Sequence, residues 1–320
     1  MSKYILDFEK PLQVIQDEIN ELMETSESTG VDVTLKVKDL EDKLASVGHE
    51  IYSNLSRWDR IQIARHPDRP HSFDYINKIC EYWYEIHGDR KFADDKALIT
   101  GLAIIKGVKF ILIAQEKGRS TKEKLYRNFG MARPEGYRKS LRMMKLAEKF
   151  SLPIITIIDT PGAYPGIGAE ERGQAQAIAD NLFVMSRIKV PIISVVIGEG
   201  ASGGALAIGL SDLILCQENS WYSVISPEGC ASILFRDAQR SKEAADAMKV
   251  TSLDLYDMGI VDQIIKEPLG GAHNGLVESS KYLIDVIIES YNKLKNIDKD
   301  ELIYRRMKKY ESIGHYITNE

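Results

Sequence analysis

The sequence predicts an α/β fold built around a parallel sheet, with a helical hairpin ahead of it. Three observations predict this. Short β-branched runs at 154–158 and 192–197 each feed a glycine-rich turn and then a helical stretch. Such units alternate across roughly 95–230, which implies right-handed βαβ layers. Apolar residues at 12–22 and 33–51 recur at spacings of three and four before any strand begins, the mark of amphipathic helices.

The bulk numbers bound the rest. A chain of 320 residues, 44% of them hydrophobic, can bury a substantial core as one large domain or two small ones. With 42 Lys/Arg against 47 Asp/Glu the net charge is −5. That argues against a dedicated nucleic-acid binder but leaves room for a local basic patch. Cys80, Cys216 and Cys230 are odd in number and far apart. They suit reduced thiols in a cytoplasmic protein and leave no CxxC zinc site, so no metal is expected. No uncharged apolar run is long enough for a membrane span, and the N-terminus lacks a signal-like apolar core.

In chain order, Leu12, Ile15, Ile19 and Leu22 stripe a first helix. A polar turn at 24–30 leads to a second, striped by Val33, Val37, Leu40, Leu44, Val47 and Ile51. Residues 1–56 read as this hairpin, 57–296 as the main domain and 297–320 as a helical tail. An aromatic-bearing helix is expected at 73–83, then paired strands at 98–105 and 108–114 around Lys106-Gly107. His66, His71 and His87 lack metal-ligand spacing and read as structural. Residues 117–145 hold ten Lys/Arg against two acids. On the helix at 134–150 these charges read as a solvated face. Lys117, Arg119 and Arg127 sit in a loop near Gly118 and Gly130, and are candidates for the phosphates of an anionic ligand or for an acidic partner. Further helices are expected at 170–187, 243–248, 252–258 and 277–294. Further strands fall at 212–216, 222–226 and within 259–268.

The turn at 198–204 matches two short patterns. Gly198-Glu-Gly-Ala-Ser-Gly203 spells the dinucleotide fingerprint GxGxxG, and Gly200-Ala-Ser-Gly-Gly204 the nucleophile elbow GxSxG. Against the first, only about nine residues separate Gly203 from Asp212, short for a Rossmann helix, although Glu218 stands near the ribose-acid distance. The second needs Ser202, then Asp254, Asp257 or Asp262, then His273. A third reading uses the backbone. Two consecutive turns, 160–168 and 198–204, are glycine-rich, and their one acid or base, Glu199, reads as a surface turn residue. Free amides at a helix start suit an oxyanion on a thioester enolate or a ureido oxygen, at ~3–4 kcal/mol per donor. These residues by themselves leave all three readings open.

Longer motifs carry a resemblance. They are Asp159-Thr-Pro-Gly-Ala-Tyr-Pro-Gly-Ile-Gly-Ala-Glu-Glu-Arg-Gly-Gln174, Gly198-Glu-Gly-Ala-Ser-Gly-Gly-Ala-Leu206, Tyr222-Ser-Val-Ile-Ser-Pro-Glu-Gly229 and Glu267-Pro-Leu-Gly-Gly-Ala-His273. Asn128-Phe-Gly-Met131 and Pro134-Glu-Gly-Tyr-Arg-Lys139 add to them. From Leu6-Asp-Phe-Glu-Lys-Pro-Leu12 to near the C-terminus the chain resembles the carboxyltransferase alpha subunits of bacterial acetyl-CoA carboxylase.

The resemblance implies a ClpP/crotonase-like fold of repeated ββα units. It implies an α2β2 assembly with a beta subunit, which often carries a four-cysteine zinc site. The active site would lie between subunits, with carboxybiotin chiefly on the alpha side and acetyl-CoA chiefly on the beta side. Biotin would ride on a separate biotin carboxyl carrier protein, charged by biotin carboxylase at the expense of ATP. This chain carries no GxxxxGK[ST]. The product would be malonyl-CoA for fatty acid biosynthesis. In the implied chemistry carboxybiotin loses CO2, the ureido nitrogen takes the α-proton of acetyl-CoA, and the enolate attacks CO2. Gly203 and Gly204 N–H groups would form the biotin-side oxyanion site. Pro161, Gly162, Ala163, Tyr164 and Gly166, with Gly200, Ala201 and Ser202, would shape the biotin pocket, Ser202 as a turn residue. The family commonly has Gly where this chain has Ala201, so a positive φ at 201 would be strained. The runners-up are transfer to another acyl-CoA and a GxSxG serine hydrolase.

Overall fold

The two β-branched runs become neighbouring strands at the centre of one mixed sheet. The computed structural model describes residues 4–314. Helices α1 (Lys10–Thr29) and α2 (Thr34–Ser53) pack through Ile15, Ile19 and Leu40. The first runs on through the polar residues 24–29, which the sequence reading placed in a turn. Thr25 and Thr29 hydroxyls bond back to the carbonyls of Glu21 and Thr25, and the helix stops only at Gly30, φ +71. Tyr52 Oη donates to the buried Glu9 carboxylate at 2.6 Å, tying the end of α2 to the start of α1.

Next come α3 (Arg57–Ala64), α4 (Ser72–Ile79), β1 (Tyr82–Glu85), β2 (Leu98–Ile105) and β3 (Val108–Gln115). The expected helix at 73–83 is therefore cut short. Cys80 turns extended (φ −91, ψ 126), and Trp83 lies in a strand paired with Ala103. β1, β2 and β3 run antiparallel, with a tight turn at Lys106-Gly107.

After α5 (Thr121–Tyr126) and α6 (Pro134–Lys149), strand β4 (Ile154–Thr160) pairs parallel to β3. Helices α7 (Ile167–Glu171) and α8 (Gln174–Met185) replace the single helix expected at 170–187, broken at Gly173, φ +78. Strand β5 (Ile192–Ala201) pairs parallel to β4 and leads straight into α9 (Ser202–Leu206). Then follow β6 (Leu213–Gln217), β7 (Trp221–Ser223), α10 (Pro227–Leu234), α11 (Ser241–Met248), α12 (Ser252–Asp257), β8 (Gln263–Ile265), α13 (Leu276–Leu294) and α14 (Lys299–Glu311). The sheet order is β1-β2-β3-β4-β5-β6-β8, with β7 on the far end of β5.

Every residue of β4 and β5 is buried. Alternation sends Ile154, Ile158, Ile192 and Val196 to one core layer, and Ile155, Ile157, Ile193 and Val195 to the other. Helices cover both faces, so these strands read as unbroken apolar runs. No helix among the described residues is long and apolar enough to cross a membrane.

Much of the basic stretch is structural rather than a solvated face. Lys139 is fully buried and reaches Asp94 at 2.6 Å and the Asp95 carbonyl at 2.7 Å. Arg138 pairs with Asp89 at 2.8 Å, and Arg142 donates to the carbonyls of His87 and Gly88. These contacts fasten α6 to the chain at 87–95.

Helix α14 is anchored by one buried arginine. Arg306 pairs with both Asp212 oxygens at 2.8 Å and donates to the carbonyls of Met185, Ile188 and Val190. Asp212 in turn accepts the Ile192 N–H at 2.7 Å, so the tail is tied to the first residue of β5. Arg306→Ala would leave Asp212 buried without its partner, at a cost of about 3–5 kcal/mol. Thermal unfolding should show a lowered midpoint; a midpoint unchanged within about a degree would refute the anchor.

Candidate active site

Strands β4 and β5 end side by side, and each releases the chain into a glycine-bearing turn. Between Ile158 and Thr160 the β4–β5 pairing shifts register, so Asp159 leaves the ladder. Thr160 Oγ accepts the Gly162 N–H at 3.1 Å and donates to the Gly130 carbonyl at 2.7 Å. Gly162 takes φ +146, a conformation open to glycine.

On β5, Ala201 is ordinary extended backbone, φ −112. The strand reverses into α9 at Ser202, which takes φ +57. The residue change at 201 therefore carries no strain. The left-handed residue is the serine beside it.

Ser202 is exposed, Gly203 half-buried and Gly204 buried, all in the first turn of α9. Amides in a first turn have no acceptor four residues back. A Cβ on Gly204 would stand 2.4 Å from the Gly162 carbonyl carbon and 2.6 Å from the Ala163 nitrogen. So Gly162, Ala163 and the 202–204 turn meet in direct backbone contact. Gly200 is buried in β5, where a Cβ would meet the Tyr222 ring at 2.8 Å. Tyr164 and Gly166 pack on each other, with the Arg133 guanidinium 5.0 Å from the Tyr164 ring.

Two separate hollows flank the turns. One groove of about 270 Å³ is mainly apolar and is lined by Ser202, Gly203, Leu206, Tyr222, Val224 and Leu255 among others. The second, also about 270 Å³, is the more polar of the two and is lined by Arg65, His71, Lys117, Phe129, Pro161 and Glu199 among others. Pro161 thus faces the polar hollow, and Ser202 and Gly203 the apolar groove, while Gly162, Ala163, Tyr164, Gly166, Gly200, Ala201 and Gly204 line neither.

The polar hollow holds a charge cluster that the sequence reading missed. Glu199 is not a surface residue; it is 9% exposed. Lys117 Nζ bridges Asp159 and Glu199, at 2.7 Å to each. Arg65 joins Glu199 at 2.8 Å and Glu228 at 2.6 Å. His71 Nδ1 meets Asp159 at 3.1 Å, and Asp159 also accepts the Glu199 N–H. Burial alone would raise both carboxyls. Lys117 and Arg65 outweigh it at Glu199, and Lys117 and His71 at Asp159, so both sit below the usual carboxylate range. The signal in sequence was weak, since these partners lie 40 to 163 residues apart.

Neither short pattern is assembled into its site. His273 stacks on His66 at 3.9 Å, and burial pushes its pKa down to about 4. Asp254 is held by Arg57, Asp262 by Lys309, and Asp257 is exposed at the end of α12; none of the three pairs with His273 among the described residues. Glu218 accepts the Glu267 N–H rather than facing the glycine turn. Of the basic loop, Arg119 pairs with Asp74, and Arg127 donates to the Lys96 carbonyl and lies over Phe73.

Sheet and paired turns place the chain in the crotonase-like fold of carboxyltransferases. It overlays a solved chain of transcarboxylase 12S with TM-score 0.57 at 21% identity, covering 69% of this chain and 41% of that one. A family model described as acetyl co-enzyme A carboxylase carboxyltransferase-like matches residues 5–314, and the chain belongs to that family. A relative from Flavobacterium johnsoniae is 50% identical over 312 residues, covering 97% of this chain and 98% of its own length. One from Xanthomonas axonopodis pv. citri is 51% identical over 316 residues and covers 99% of each. Both are named acetyl-coenzyme A carboxylase carboxyl transferase subunit alpha.

The charge cluster has a pH signature. A carboxylate with a depressed folded-state pKa contributes stability above its unfolded value, near 3.9, and loses it as pH falls through the folded value. Unfolding midpoints should therefore drop below about pH 4, and Asp159→Asn should flatten that acid limb. An acid limb identical in Asp159→Asn would remove Asp159 from the account.

Proposed function

We propose that this chain is the alpha subunit of an acetyl-CoA carboxylase carboxyltransferase. It moves the carboxyl group of N-carboxybiotin, carried on a biotin carboxyl carrier protein, to acetyl-CoA, giving malonyl-CoA for fatty acid synthesis. Its partner is a beta subunit in an α2β2 assembly. Biotin carboxylase charges the carrier with ATP, and no residue of this chain is assigned to ATP. Its place is the cytoplasm, in keeping with three free cysteines. The observation that carries the reading is the end-to-end family match together with two touching glycine turns that present amides without an assembled nucleophile.

Carrier-bound N-carboxybiotin supplies the carboxyl group. The groove beside Ser202 and Gly203 would hold its ring system, offering the faces of Leu206, Tyr222 and Leu255 beside backbone amides. Gly203 and Gly204 N–H groups would donate to the ureido oxygen, stabilising the negative charge that transfer of the carboxyl group places there. Amides need no change of protonation to do this, and each donor contributes ~3–4 kcal/mol. In this reading Gly162, Ala163, Tyr164 and Gly166, with Gly200 and Ala201, back the turn from which those amides emerge, Gly162 and Ala163 by direct contact with Gly204. Pro161 leads the chain into that backing. Ser202 supplies a left-handed corner, not a nucleophile.

The direct test mixes this chain with a beta subunit, carboxylated carrier and acetyl-CoA, and assays malonyl-CoA. Product should appear only with all four present; ester hydrolysis by the chain alone would overturn the reading. Gly204→Val should abolish transfer with the complex assembled, since its side chain must displace Gly162. Near-normal activity there would sink the oxyanion assignment. Ser202→Ala should keep most of the transfer; loss by several orders of magnitude in a folded protein would restore the nucleophile.

A further inference from the structure

Gln115 is the last residue of β3 and is fully buried. Its side-chain amide touches both glycine turns. Oε1 accepts the Asp159 N–H at 3.1 Å, and Nε2 donates to the Gly204 carbonyl at 2.7 Å.

Each of these backbone groups lacks its regular partner for a local reason. The Asp159 N–H lies on the β3 side of β4, beyond the last β3–β4 pair, Ala114 with Ile157, so no strand carbonyl receives it. The Gly204 carbonyl is freed because α9 tightens after one turn: the Ile208 N–H goes to Ala205, three residues back. One planar amide, donor on one side and acceptor on the other, matches this pair of orphans. Its own mounting is rigid. Gln115 pairs with Leu98 across the β2–β3 ladder, and its carbonyl accepts the Ser72 hydroxyl at 2.6 Å. Asp159 is fixed in turn by Lys117 and His71.

We propose that Gln115 is a positioning residue for carboxyl transfer: its amide clamps the end of β4 to α9 and so aims the Gly203 and Gly204 amides at the reacting oxygen. This rests on the oxyanion reading of those glycines. The Gly204 carbonyl belongs to the peptide that follows Gly204. Holding it sets the tilt of the first turn, from which both amides emerge. Gln115 touches no substrate; it acts through Gly204.

The test uses the assembled α2β2 complex and three variants. Gln115→Met keeps the length and loses both bonds. Gln115→Glu keeps the acceptor toward Asp159 but turns a lone pair on the Gly204 carbonyl. Both should lower kcat by about 10²-fold, the scale of a misplacement near 1 Å. KM for acetyl-CoA should stay within about threefold, because that substrate is bound chiefly elsewhere. Assembly by size-exclusion chromatography should be retained. A kcat within twofold of wild type per assembled complex, in either variant, overturns the proposal, even with a lowered melting point. Should Gln115→Met fail to fold, Gln115→Glu decides alone. Gly204→Val, run alongside, separates the two claims. If it transfers normally, the glycine reading itself has failed. If it is dead while the Gln115 variants are active, only the clamp has.

Discussion

The close approach of two backbones at Gly204 is the constraint on which the rest depends. Hydrogen is the only substituent that fits there, because a Cβ would lie 2.4 Å from the Gly162 carbonyl carbon. Two strand-to-helix turns can touch in this way only if their strands end side by side and point the same way. That condition is met by the parallel pairing of β4 with β5. The pairing in turn is stabilised by two apolar layers, one on each face. Core packing therefore sets the geometry of a site that contains almost no side-chain chemistry.

The buried charges act on the same geometry from behind. Lys117 and Arg65 face Asp159, Glu199 and Glu228, with His71 at the edge. Their hollow shares no lining residue with the apolar groove at Ser202 and Gly203. Removing Lys117 would leave the buried Asp159 and Glu199 carboxylates short of a countercharge, so the cluster resists rearrangement there. It joins α3, β3, β4, β5 and α10 at the point where β4 and β5 end. A backbone oxyanion site works by being fixed before charge develops, and a network of this kind fixes it.

Local sequence carried the strands, the two turns and most helices, because alternation and glycine placement are local properties. Ile154 and Ile192 announced β4 and β5 without help from the rest of the chain. Long-range partners were not legible. Glu199 looked like a turn acid because nothing within a few residues of it is basic; its partners Arg65 and Lys117 lie 134 and 82 residues away. Lys139 looked solvated for the same reason, since Asp94 is 45 residues upstream. The helix expected through Trp83 failed where an apolar, aromatic run satisfied both periods and the edge of the sheet took it. Gln115 left no trace, because its role follows from where the β3–β4 ladder stops and from a shortened α9, neither legible in the residues around it.

The serine in the glycine turn shows why two unrelated patterns coincide here. A buried strand that reverses at once into a helix needs one residue with positive φ at the corner. In this chain that residue is Ser202, at φ +57, while Ala201 stays extended. A left-handed non-glycine residue costs of order 1–3 kcal/mol, and the surrounding contacts must hold it. Gly204 supplies one such contact by letting α9 press onto Gly162 and Ala163. The corner has the backbone of a nucleophile elbow, yet no base reaches it among the described residues. What such a corner offers in common with the elbow is its row of free amides, and in this fold those amides are the part of the pattern that the surrounding residues are arranged to hold.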